Sequence, residues 1–112
     1  MPELRAAVEA DIPAMLEVFF HAIEDLDQQR GRRPQPRSAA PLEMHFGHLL
    51  STDPASAFVA DDHGKVIAFG IVMRRGADAF LSFLFVEPAW QSRRIGRAVL
   101  EACIAGAGEG VE

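Results

Sequence analysis

The chain has one cysteine, Cys103, in 112 residues, so no internal disulfide is available to hold the fold. Cys103 lies in an apolar helical pattern, where a free cysteine behaves as a small core residue rather than a nucleophile. No apolar run approaches the roughly 20 residues that span a bilayer. The opening Met1-Pro2-Glu3-Leu4-Arg5 carries no apolar stretch of the secretory kind. No membrane partner is expected, and a cytoplasmic location follows by default. Positive charge is scarce too: the formal net charge is −5. Nucleic-acid binders carry the opposite sign, so no nucleic-acid partner is expected. The acidity favours solubility and would suit a cationic substrate. The histidines His21, His45, His48 and His63 lack cysteine partners and a Glu-containing helical motif, so no metal is expected. Tyrosine is absent altogether.

What is present fits a packed globular protein. Hydrophobic residues make up 49 % and charged residues 24 %, and the length suits a single domain, residues 1–112. Residues 4–8 read as a first strand. Asp11 offers an N-cap and Pro13 is tolerated in a first turn. Ile12, Met15, Leu16, Phe19, Ile23 and Leu26 then recur at helical spacing, which predicts a helix over 12–28. Residues 30–41 hold three prolines and four arginines and read as a loop. A second helix is predicted over 42–50, with Leu42, His45, Phe46, Leu49 and Leu50 on one side, closed by Thr52-Asp53-Pro54.

Past that point the period changes. Residues 57–60, 66–73 and 80–86 read as strands. The turns between them are Asp61-Asp62-His63-Gly64 and Arg75-Gly76-Ala77-Asp78, so the strands form antiparallel hairpins. Pro88 closes the last one. Ile95, Ala98, Val99, Ala102 and Cys103 then repeat with an i, i+3, i+4, i+7, i+8 spacing and give a helix with one apolar stripe. Gly106 and Gly108 are expected to end it. Gly110-Val111-Glu112 resembles the approach to a further strand. The order of elements is α+β.

The segment Leu84-Phe85-Val86-Glu87-Pro88-Ala89-Trp90-Gln91-Ser92-Arg93-Arg94-Ile95-Gly96-Arg97-Ala98-Val99-Leu100 carries the chemistry. A buried strand ends, a short polar loop follows, and an amphipathic helix opens. The first amides of a helix have no intrahelical acceptor and, with the helix dipole, form an anion site. Gly96 removes a side chain from the first turn, and Arg93, Arg94 and Arg97 add positive charge. These features point to a phosphate or pyrophosphate ligand. No G-x-x-x-x-G-K-[ST] is present, and Gly106-Ala107-Gly108-Glu109-Gly110 does not follow a strand, so a nucleotide-binding fingerprint is lacking.

The same segment resembles the acetyl-CoA-binding motif of GNAT acetyltransferases, Q/R-x-x-G-x-G/A after a strand ending Val-x-Pro. Val86-Glu87-Pro88 matches the strand end. Gln91, Ile95 and Gly96 match the loop and helix start, and Ala98, Val99 and Leu100 the apolar continuation. Arg94 stands where the family has its middle glycine, and Ser92 where another glycine is common. The opening Leu4-Arg5-Ala6-Ala7 and Asp11-Ile12-Pro13 also look like the family's first strand and helix start.

The resemblance implies a GNAT-like, mainly antiparallel sheet with flanking helices, lacking its C-terminal strands. It implies an incomplete domain: a fragment, or one half completed by a second polypeptide segment or in a homodimer. The implied co-substrate is acetyl-CoA. Phe85 and Val86 would pair with the pantetheine arm, and Gln91, Ser92, Arg93, Arg94, Ile95, Gly96, Arg97 and Ala98 would hold the pyrophosphate. The implied activity is N-acetyl transfer to a primary amine, on a small molecule or peptide, by direct attack in a ternary complex. The alternative is a degenerate, non-catalytic GNAT-like domain that binds CoA or supports a partner. Backbone near Phe85 and Val86 would stabilise the oxyanion. No catalytic residue is identified: Glu87 reads as a surface residue, Glu24 and Asp25 as a solvated helix face, and the family's tyrosine acid has no counterpart. Phe80, Phe83 and Phe85 read as core.

Overall fold

A computed structural model of the chain describes residues 2–33 and 38–108. Four strands and three helices follow in the order β1 (Glu3–Ala6), α1 (Ile12–Gln29), α2 (Ala39–Thr52), β2 (Ala57–Asp62), β3 (Lys65–Arg75), β4 (Asp78–Val86) and α3 (Ile95–Ala107). The strands form one antiparallel sheet in the order β1-β2-β3-β4. The α+β class, the antiparallel sheet and all three helices agree with the sequence reading.

The first strand starts one residue earlier than predicted and ends at Ala6 rather than Val8, where Val8 caps a 3-10 turn over Glu9–Asp11. The later helices and strands run longer than the spacing alone predicts, for local reasons. Pro41 falls in the first turn of α2, where its missing N–H costs no helical bond. The β2–β3 turn narrows to His63 and Gly64, both at positive φ (51° and 91°), as a two-residue hairpin requires. The earlier part of the predicted turn, Asp61 and Asp62, pairs with Val66 and Lys65 instead. Residues 34–37 of the predicted loop and the predicted strand approach at 110–112 lie outside the described residues.

The sheet is covered on both faces. On one, Met15, Leu16 and Val18 of α1 with Phe46 and Leu49 of α2 pack against Val59, Phe69 and Ile71. On the other, Ile95, Val99 and Cys103 of α3 pack against Ala60, Ile67, Ala68 and Val72. Cys103 is fully buried, and burial pushes its thiol up to about 11, which suits a core residue.

The edge strand β1 is tied in by charge. Arg5 reaches both oxygens of Asp11 (2.8 and 2.9 Å) and Asp61 on β2 (3.1 Å). Asp11 also accepts the Val8 amide at 2.9 Å. The Arg5 guanidinium holds the Asp11 carboxyl below the usual carboxylate range. Asp53 does the same work after α2: burial pushes its carboxyl up, but bonds from Thr52, the Arg74 amide and Arg75 outweigh that and lower it.

Two expectations need correction. Phe80 is not core; it is 50 % exposed near the start of β4. Gly106 does not end α3, which runs on to Ala107, and Gly108 at φ 83° is the C-cap. Gly106 instead marks a close approach, since a Cβ there would collide with the carbonyl of Ala55. That carbonyl belongs to backbone and cannot swing aside, so Gly106→Ala is expected to lower stability by about 1–3 kcal/mol. Denaturant titration checks this. A loss under about 0.5 kcal/mol, the range of an inert surface change, would show that α3 is not seated on the 54–56 turn.

Candidate functional site

The end of β4 is fixed before the loop begins. The Glu87 amide donates to the Ile67 carbonyl at 2.8 Å, which extends the β3–β4 pairing by one residue. Pro88 opens a short 3-10 turn over Pro88–Trp90, closed by Trp90 N–H to the Glu87 carbonyl (2.8 Å). The Gln91 side-chain amide donates to the Val86 carbonyl at 3.2 Å, folding the loop back onto the strand end.

Ser92 and Arg94 then take left-handed backbone, at φ 70° and 61°. Non-glycine residues adopt that region at a cost of roughly 1–2 kcal/mol. These are the positions at which the motif resemblance expects glycine. The chain keeps a glycine-like backbone path without the glycines. Arg94 is the N-cap of α3 and makes no side-chain cap bond. The first helical bond runs from the Ala98 amide to the Arg94 carbonyl at 3.1 Å. The amides of Ile95, Gly96 and Arg97 thus lie in a first turn that offers them no helical acceptor.

Around these amides the side chains stand clear. Ile95 is buried and anchors the turn. Gly96 abuts the strand end: a Cβ there would lie 3.3 Å from Val86 Cγ2. Ser92, Arg93, Arg94 and Arg97 are exposed, and Ala98 is half-buried. Arg93 lies over the Trp90 ring (5.0 Å to its centroid), and Arg97 pairs loosely with Glu101 at 3.6 Å. All eight residues from Gln91 to Ala98 therefore belong to one turn of chain, which carries three guanidinium groups. Phe85 and Val86 are half-buried on β4, whose far edge has no strand partner among the described residues.

Strand alternation splits the end of β4 between the two faces. Leu84 and Val86 pack with α3. Phe83 and Phe85 pack with α1 and α2, Phe85 edge-on to Phe19 at 4.8 Å. Glu87 continues the second series. Its carboxylate is buried and meets His21 of α1, with Nδ1 at 2.9 Å from both oxygens. Here the sequence reading needs correction, since Glu87 is not a surface residue. His21 was legible only as a histidine without metal partners. Glu87 is the first cause of the raised His21 pKa, ahead of the opposing effect of burial, with Glu17 and Glu24 adding to it. Glu24 itself is exposed, and Asp25 accepts a bond from Gln29 at 2.7 Å. Among the described residues no group of three His, Cys, Asp or Glu side chains stands close enough to hold a metal. No described helix is long and apolar enough to cross a membrane.

An antiparallel sheet covered by helices, whose last strand leads into a helix that opens on uncapped amides, defines the class of fold. The comparisons place the chain within it. The model of the GNAT acetyltransferase domain matches residues 53–112, and the chain belongs to that family. No curated protein sequence matches it. Among solved structures, a Pyrococcus horikoshii protein superposes with a TM-score of 0.76 at 20 % identity, over 92 % of this chain and 33 % of that one. The ribosomal-protein-S18-alanine N-acetyltransferase of Escherichia coli gives 0.66 at 25 % identity, over 96 % and 59 %. The yncA protein of Salmonella typhimurium, solved with acetyl-CoA, gives 0.70 at 19 % identity, over 96 % and 63 %. The chain thus spans from a third to under two thirds of these proteins.

The backbone at Arg94 yields a prediction independent of any ligand. Arg94→Gly is expected to leave stability unchanged or raise it by up to about 1 kcal/mol, because relief of left-handed strain offsets the entropy glycine loses on folding. Arg94→Val, whose branched Cβ resists positive φ, is expected to lower it by about 1–2 kcal/mol. Denaturation midpoints of the two variants check this, and equal midpoints would refute the left-handed assignment.

Proposed function

We propose that this chain carries the cofactor-gripping part of an N-acetyltransferase that moves an acetyl group from acetyl-CoA to a primary amine. The observation that carries the reading is the left-handed backbone at Ser92 and Arg94, directly ahead of a helix whose first amides are uncapped. Family membership supports it, as does the likeness to a structure solved with acetyl-CoA.

In this reading the pyrophosphate of CoA is held within residues 91–98, by the free amides of Ile95, Gly96 and Arg97 at the positive end of α3. Arg94 and Arg97 add charge at the rim. The outer edge of β4 at Phe85 and Val86 offers backbone groups to the pantetheine amides, as an added strand would. The backbone near Phe85 and Val86 also stabilises the thioester oxygen as it gains charge. Holding donor and acceptor together supplies much of the rate, with no covalent intermediate on the protein. The acceptor is a small-molecule or peptide amine. The second reading, a non-catalytic domain that only binds CoA, shares this cofactor site and parts from the first in showing no transfer.

Acetyl-CoA titrated into the 112-residue chain tests the cofactor site. A ligand that binds only the folded form stabilises it by about 2.7 kcal/mol at a hundred times its Kd, so the unfolding temperature is expected to rise steadily with ligand. Gly96→Asp places a carboxylate among the first-turn amides, where it favours the helix but repels a phosphate. The expected result is a folded protein whose midpoint no longer responds to acetyl-CoA. An unresponsive wild-type chain would sink the cofactor assignment.

A further inference from the structure

We propose that His21, oriented by Glu87, is the base that takes the proton from the acceptor amine. The inference rests on the acetyltransferase reading above and adds to it a residue that the motif does not contain. Its geometric basis is the position of the pair. Glu87 directly follows Phe85 and Val86 on β4 and faces the helix that carries His21. Phe19, two residues before His21 on α1, packs edge-on against Phe85 at 4.8 Å. The pair therefore borders the strand end along which the pantetheine arm is placed.

The chemistry follows from the contacts. Both Glu87 oxygens lie 2.9 Å from His21 Nδ1, so Nδ1 carries the proton when the ring is neutral. Nε2 then holds the free lone pair. No described residue bonds to Nε2, and the side chain is 47 % exposed. Glu87 has little freedom to turn away, because its amide is pinned to the Ile67 carbonyl at 2.8 Å and its side chain is buried. This is a base with a fixed tautomer and an open nitrogen, the arrangement general-base catalysis needs.

The charges around the ring act in the same sense. Glu17 and Glu24 stand one turn away on either side along α1 and, with Glu87, raise the basicity of the ring. Glu17 and Glu87 also line a cavity of about 290 Å³ with Asp11 of the α1 approach, Arg5 of β1 and Lys65 of β3. Arg5 is already committed to Asp11 and Asp61, and Lys65 is the other cation that lines the cavity.

The step balances as follows. The substrate ammonium gives one proton to Nε2 and becomes a neutral amine. Its nitrogen lone pair forms the C–N bond at the thioester carbonyl carbon. The C–S bond breaks and its electron pair goes to sulfur. The second amine proton passes to that sulfur through water, giving free CoA thiol, and the imidazolium returns its proton to solvent. An alkylamine with a pKa of about 10.4 is almost wholly protonated at neutral pH, so a proton must leave the nitrogen before it can attack.

Two measurements on the 112-residue chain test this. The first is nitrogen NMR of the histidine rings. Neutral His21 is expected as the Nδ1–H tautomer, and Glu87→Gln is expected to lower its titration midpoint. The Nε2–H tautomer, or a midpoint indifferent to Glu87→Gln, would overturn the proposal. The second is acetyl transfer to alanine amide and to n-butylamine. The sign is that of a base: kcat/KM rises with pH through the His21 midpoint, because only the deprotonated ring accepts a proton. His21→Ala is expected to remove that inflection and lower kcat about 100-fold, the lower end for a lost general base, with the acetyl-CoA thermal shift intact. Glu87→Gln, acting through position, should move the inflection to lower pH. Unchanged rate and profile in His21→Ala would show that the pair is only an ion pair. A chain that binds acetyl-CoA yet acetylates neither amine would overturn the base assignment through the non-catalytic reading. A wild-type chain with no acetyl-CoA shift would instead sink the acetyltransferase reading itself.

Discussion

Everything at the candidate site depends on where the first turn of α3 is held relative to the end of β4. Amides that lack acceptors are useful to a ligand only if they cannot sag into a frayed or alternative turn. Three contacts prevent that. Ile95 is buried beneath the turn. Val99 and Cys103 press so closely on Gly70 of β3 that a Cβ there would meet Val99 Cγ1 at 2.9 Å. Gly106 lies flush against the backbone after α2. The helix is thus gripped along its length by the sheet and at its far end by the Pro54–Ser56 turn. The Gln91 bond to the Val86 carbonyl fixes the other side of the loop. The left-handed strain at Ser92 and Arg94 persists because these anchors over-determine the path between them.

The same strand end serves two faces because a strand has a period of two. Val86 points toward α3 and sits against Gly96. Its neighbour Glu87 points toward α1 and takes His21. The footing of the α3 start and a titratable pair are thereby built from consecutive residues, with the sheet itself as the partition between them. The acidic ties at Asp11 and Asp53 serve the scaffold rather than the site. Each satisfies backbone amides and a cation at a junction between elements, which keeps buried carboxylates from becoming unpaired charges.

Much of this was legible in the sequence where local rules decide. The helical spacing through Ile12, Met15 and Leu16, the hairpin at His63-Gly64 and the apolar stripe Ile95, Val99, Cys103 all announce their elements. The Gln91 to Ala98 segment announces its strand, loop and helix start, which follow one another along the chain. What local rules could not show were contacts between distant residues. Gly106 looks like a helix stop until Ala55 is seen against it. His21 and Glu87 are 66 positions apart, so no spacing pattern links them. One signal was available: Phe83 and Phe85 read as core, and alternation puts Glu87 on their side of the sheet. A carboxylate in that register needs a partner from the covering helix, and His21 is a residue of that helix.

Arg94 illustrates how a departure from a motif can keep its backbone path. Glycine serves at such positions because it adopts positive φ freely and leaves room for an anion. Arg94 meets the first need by accepting strain, at φ 61°, and the second by projecting its side chain to solvent. A long guanidinium at the rim also adds a positive charge that glycine lacks. Local strain is therefore set against electrostatic attraction, and an anion at the α3 amides would be drawn by both the helix dipole and that charge. Arg93, held over Trp90, contributes its charge from a more fixed position. The loop is then better described by its backbone angles and its field than by its glycine count.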